Sequence, residues 1–119
     1  MLTIGTTPEN RPLIALVVSK DKAFTPEAAA RTGKVVIMIQ SGIHSGEIEG
    51  KDTVLMLIRD MAVTKKYAAW LDKAIFVVIP VFNVDGHEYI SEYTRPQQNG
   101  PRDTGFLNTP PLHHLTCYT

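Results

Sequence analysis

The chain has 119 residues, 44% of them hydrophobic and 20% charged, an ordinary composition for one domain with a core of its own. Twelve Lys plus Arg balance twelve Asp plus Glu, and no basic block occurs, so the attraction that nucleic acid or an anionic membrane needs is missing. The longest apolar runs, 35–39 and 74–82, fall well short of the roughly 20 residues that span a bilayer.

The start, Met1-Leu2-Thr3-Ile4-Gly5, has neither a basic n-region nor an apolar h-region, and no cellular location is read from it. Cys117 is the one cysteine, which excludes an intrachain disulfide and a cysteine-based metal cluster.

In chain order, residues 2–4 and the β-branched run 11–19 flank the turn-forming stretch 5–10, which predicts an N-terminal hairpin. Residues 21–33, Ala-rich with Pro26 and Gly33, predict a surface connection with room for one helical turn. Residues 34–40 have apolar side chains at successive positions, the pattern of a strand covered on both faces.

Between 47 and 62, Val54, Leu55, Ile58, Met61 and Ala62 recur at helical spacing, while Glu49, Asp52, Arg59 and Asp60 take the other faces. That predicts an amphipathic helix. Residues 65–73 predict a short second helix with Trp70 and Leu71 buried, ahead of the apolar strand 74–82. Two buried strands joined through helix form a parallel crossover, and the hairpin adds antiparallel strands, so the expected fold is α/β: a mixed, mainly parallel sheet with flanking helices. Beyond Phe82 the text turns loop-like, with the Asn83-Val84-Asp85-Gly86 turn signal and a Pro- and Gly-rich stretch over 94–111. No internal repeat occurs.

The chemistry concentrates where the strand at 34–40 hands over to the helix, the place where open α/β sheets put their ligands. There His44 and Glu47 lie three apart, on one side of a tight turn or a first helical turn, so that an imidazole nitrogen and a carboxylate oxygen reach one ion at about 2.0–2.2 Å. Gly42 and Gly46 allow sharp backbone beside it, and Ser45 is placed to cap a helix whose positive end suits Glu47. The bland alternative is a loop histidine followed by a first-turn acid. His87 and Glu88, being adjacent, point in different directions and read as solvated turn residues.

The stretch Ser41-Gly42-Ile43-His44-Ser45-Gly46-Glu47-Ile48-Glu49-Gly50 resembles the zinc-binding segment of carboxypeptidase A-like metallopeptidases, bacterial members above all. Three further stretches resemble the same family in the same order. Residues 4–13 are similar to its Gly-x-Ser-x-Glu-Gly-Arg hairpin, with Asn10 in place of the usual glycine. Residues 79–88 are similar to its Asn-Pro-Asp-Gly strand end, with Val84 in place of the proline. Residues 99–106 resemble the loop that follows. The resemblance implies a zinc cofactor held by His44 and Glu47, peptide or protein C-termini as substrate, and hydrolysis of the C-terminal peptide bond.

It also implies what to look for and not find. Leu107 stands where the family has an arginine that polarises the scissile carbonyl, and no Asn-Arg pair follows to grip the substrate carboxylate. The third zinc ligand and the catalytic glutamate of such enzymes lie far beyond the His-x-x-Glu motif, and His113 and His114 are the remaining histidines, in a tail without a scaffold pattern. The expectation is therefore a partial catalytic domain over 1–106 with no catalytic residue of its own, followed by an unmatched tail over 107–119 of the kind a shifted reading frame produces. A sheet cut after its first strands leaves an edge open to self-association. Two other readings stand beside the peptidase: a zinc amidohydrolase of the aspartoacylase or succinylglutamate desuccinylase kind, and a metal-binding remnant that turns nothing over.

Overall fold

A computed structural model of the chain describes residues 1–88. Strands β1 (Leu2–Thr6) and β2 (Pro12–Val18) form the expected antiparallel hairpin, with Leu2 opposite Ala15 and a bulge between Thr3 and Gly5. Its turn closes through hydrogen bonds from Thr7 N to Arg11 O and from Asn10 N to Thr7 O, both 2.9 Å. Asn10 sits at φ +61°, left-handed backbone that asparagine tolerates better than most residues. That explains how it stands in for a glycine.

Helix α1 (Pro26–Thr32) is longer than the single turn expected, because both ends are capped. The Thr25 hydroxyl accepts from Ala28 N, Pro26 opens the helix, and Gly33 closes it in the left-handed conformation. Strand β3 (Val35–Gln40), helix α2 (Glu49–Ala62), a 3₁₀ turn (Ala68–Asp72) and strand β4 (Ala74–Ile79) follow, and the short helix α3 (Val84–Glu88) ends the described region. The strand order is β1-β2-β4-β3. β4 lies parallel to β3, with Val35 opposite Ala74, and antiparallel to β2, with Leu16 opposite Val78. The sheet is mixed α/β as expected but not mainly parallel: among the described residues one pairing is parallel and two are antiparallel, because the hairpin strand β2 lies beside β4.

The central position of β4 sets its burial. Ala74, Ile75, Phe76, Val78 and Ile79 are all buried, so here the doubly covered strand inferred from an apolar run is found. Among the described residues the same inference fails for β3, which lies at the sheet edge there with Val35, Val36, Ile37 and Met38 exposed. Among the described residues α2 reaches this strand only far enough to half-cover Ile39. An apolar run signals what a strand tolerates, and its neighbours decide what is covered.

The core lies between α2, the 3₁₀ turn and one sheet face: Val54 and Met61 pack with Leu71, Ala74, Phe76 and Val78. Leu57 and Ile58 border it, while Leu55 and Ala62, expected inside, are exposed. The buried stripe therefore runs through 54, 57, 58 and 61, rotated from the one expected. Leu71 is buried as expected, but Trp70 is 48% exposed, stacked on Tyr67 with ring centroids 4.7 Å apart. A tight 3₁₀ turn brings one residue in three to a given side, so Leu71 and Trp70 cannot both point inward. No helix among the described residues is long and apolar enough to cross a membrane.

Candidate functional site

The β3–α2 connection holds His44 and Glu47, and its path is fixed at the strand end. Ser41 N donates to Ile79 O at 2.9 Å, prolonging the parallel ladder, and its carbonyl then accepts from Phe82 N at 2.9 Å. Gly42 O accepts from Asn83 N at 2.9 Å. Gly42 is at φ +60°, and a Cβ there would lie 3.2 Å from Val81 Cα, so this glycine answers both to backbone conformation and to a close approach. Gly46, at φ +79°, turns the chain back before the helix.

Within that turn the two side chains meet. His44 Nδ1 lies 3.0 Å from Glu47 Oε1, while Glu47 Oε2 accepts from the His44 backbone N–H at 3.2 Å. The loop is a turn and not a first helical turn: α2 begins at Glu49 behind Ile48, with no side chain capping it. Ser45 is buried and lies three residues ahead of Ile48, which takes the N-cap position expected for it. The physical reason is Gly46, whose left-handed backbone breaks the helical path between Ser45 and α2. Both members of the pair remain reachable from solvent, with side-chain exposures of 47% for His44 and 33% for Glu47. Two donors 3.0 Å apart are close enough for one ion to sit about 2.0–2.2 Å from each, so the residues present fit part of a metal shell. No group of three or more His, Cys, Asp or Glu side chains assembles among the described residues. His113, His114 and Leu107 lie outside them.

The opposite wall is the β4–α3 connection. Asn83 is buried, and its side-chain oxygen accepts from Gly86 N at 2.9 Å while its carbonyl accepts from His87 N at 3.0 Å. The predicted Asp-Gly turn is thus the first turn of a short helix, started by an asparagine with the usual capping chemistry. Glu88 is exposed as expected, but His87 is half-buried, its Nδ1 enclosed without a hydrogen-bond partner among the described residues and its Nε2 3.5 Å from Lys51 Nζ. The helical turn carries His87 inward, against the start of α2.

Asp85 ties this wall to the N-terminal hairpin, a contact absent from the sequence reading. Its Oδ1 accepts from Thr7 Oγ1 and from Arg11 Nη1, each at 2.7 Å, and its Oδ2 accepts from Glu9 N at 3.3 Å. Partial burial pushes the Asp85 carboxyl up, but the hydrogen bonds from Thr7, Arg11 and the Glu9 backbone outweigh it and hold the group below the usual carboxylate range. Thr7, Glu9, Arg11 and Asp85 all fall in stretches that carry the family resemblance. Opposite charges 74 positions apart were the available signal, and sequence alone does not pair them.

A histidine and a glutamate thus meet at the carboxyl end of the sheet's parallel strand, where open α/β sheets place their ligands. The zinc carboxypeptidase family model, Peptidase_M14, matches residues 1–109, and the chain belongs to that family. It is 38% identical over 96 residues to inactive metallocarboxypeptidase ECM14 of Saccharomyces cerevisiae, covering 77% of this chain and 21% of that protein. It is 34% identical over 96 residues to carboxypeptidase 2 of Trichophyton rubrum, covering 80% of this chain and 18% of that protein. The chain thus spans about a fifth of the length of these relatives. Both are fungal, and the bacterial affiliation read from the motif remains an expectation.

Proposed function

We propose that this chain carries the His44–Glu47 part of the zinc site of a metallocarboxypeptidase, an enzyme class that removes residues from peptide or protein C-termini. The observation that carries the reading is the 3.0 Å approach of His44 Nδ1 to Glu47 Oε1 at the end of a parallel strand, in a chain of the zinc carboxypeptidase family. Zinc supplies Lewis-acid polarisation of a carbonyl and a water of lowered pKa when bound there. The chain's own residues hold the metal: His44 through a neutral ring nitrogen, Glu47 through its carboxylate, with Ser41 and Gly42 anchoring their loop. The family match favours the peptidase over the acylase reading.

A second reading, metal binding without turnover, is favoured by one observation: no third ligand joins the pair among the described residues. The two readings share the metal pair and differ in competence. Calorimetric titration with zinc tests the pair, with weak binding expected and loss of binding in His44→Ala. Release of C-terminal residues from blocked dipeptides tests competence, and no turnover by the 119-residue chain is expected. Zinc affinity unchanged in His44→Ala would remove the assignment, and chelator-sensitive turnover would remove the second reading.

A further part of the proposal concerns partners. Among the described residues β3 has a strand neighbour on one side, and its residues 35–40 contain no charge, proline or glycine, so nothing in the strand itself opposes pairing with a second copy. We assign the open side of β3 to pairing with the β3 of another molecule of this chain.

A further inference from the structure

We infer that Asp85 is a positioning residue for the His44–Glu47 pair, acting through the β4–α3 connection, an inference that rests on the metal reading above. Asp85 gathers three donors from the β1–β2 turn: the Thr7 hydroxyl, the Arg11 guanidinium and the Glu9 backbone N–H. The turn that presents them is itself closed, since Arg11 N donates to Thr7 Oγ1 at 3.0 Å and Thr7 N to Arg11 O at 2.9 Å. Thr7 Oγ1 therefore donates to Asp85 and accepts from Arg11 N, which fixes its rotamer.

On the other side, Asp85 belongs to the helical turn started by Asn83, and Asn83 N holds Gly42 O two residues before His44. A Cβ on Gly42 would lie 3.2 Å from Val81 Cα, tighter than an ordinary contact, so displacement of one connection is passed to the other. The hairpin, α3 and the metal loop thus form one hydrogen-bonded path. Without Asp85, α3 loses its tie to the sheet's outer hairpin, and Asn83 keeps the Gly42 contact from a less fixed position. The two metal donors then have more freedom to lose on binding an ion.

The test is zinc titration of the full chain and of Asp85→Asn, Thr7→Val, His44→Ala and Val54→Ala, well below the midpoint of each melt, with cobalt(II) absorption as the report on coordination. Asp85→Asn keeps the shape but weakens the bonds from Thr7 and Arg11. Thr7→Val removes one bond and is the milder change. Both are expected to lower zinc affinity about 3–10-fold, the scale of coupling through packed networks, and to alter the cobalt spectrum. Val54→Ala lowers the melting temperature by opening a core cavity, yet keeps affinity within about twofold, because it does not touch the path. If His44→Ala abolishes binding while Asp85→Asn and Thr7→Val bind like the parent, the positioning role is wrong and the metal site stands. If both bind more weakly but no more so than an equally destabilised Val54→Ala, the effect is general loosening and the inference fails. If His44→Ala binds like the parent, the metal reading fails and takes this inference with it.

Discussion

His44 Nδ1 and Glu47 Oε1 stand 3.0 Å apart across a turn held open to solvent, close enough for a proton to bridge them and for a metal ion to replace it. Metal and proton therefore compete for the same two atoms. Zinc affinity should fall as the solution is acidified, because both donors bind a metal only in their deprotonated forms. Calorimetric titration at a series of pH values measures this, and a pH-independent affinity would speak against these donors.

Gly42 combines a left-handed backbone with a close approach to the facing connection. Gly42→Ala is expected to destabilise the fold by about 1–3 kcal/mol, through its positive φ and the contact with Val81. Urea unfolding measures this, and an effect below half a kcal/mol would mean that the loop relaxes freely.

The rotated face of α2 is open to test. Met61 is completely buried and Leu55 is 43% exposed. Met61→Ala should cost about 2–5 kcal/mol and Leu55→Ala within about 0.5 kcal/mol, the ordinary range for surface positions. Equal losses would restore the face read from spacing alone.

Asp85 gives the fold a pH dependence of definite sign. Its carboxyl is held below the usual range in the folded chain, so its contribution is complete above the unfolded value and disappears as pH falls through the lower folded one. The stability gap between the parent chain and Asp85→Asn should accordingly be widest at neutral pH and close in acid. A gap that stays constant from neutral pH into acid would show that the loss is not electrostatic.

Lysine at Val36 or Met38 should abolish self-association, since an edge charge blocks strand pairing. Sedimentation velocity over a concentration series distinguishes a parent chain that grows in size from variants that do not. A monomeric parent would end the pairing proposal.

What the sequence made legible was local. The hairpin follows from two β-branched runs about a turn, and α2 from its spacing. The His44–Glu47 approach follows from a separation of three in a turn that carries Gly42 and Gly46. What it hid depends on distant neighbours. Whether β3 is central or at an edge is decided by β4 alone pairing with it among the described residues, and the same apolar lettering serves both fates. Trp70 and Leu71 are adjacent letters of similar character, and the pitch of a short 3₁₀ turn separates them. The Arg11–Asp85 contact joins opposite ends of the described chain, and no local pattern announces it.

The strand order also bears on how the molecule is made. β4 lies between β2 and β3, yet it is translated after both. Until residues 74–79 leave the ribosome, a hairpin and a strand–helix unit exist with no sheet in common, each showing apolar surface to the cell. Synthesis thus passes through a window in which both units show apolar surface that β4 later covers. A pause placed just before β4 would lengthen that window, whereas one placed after it would not.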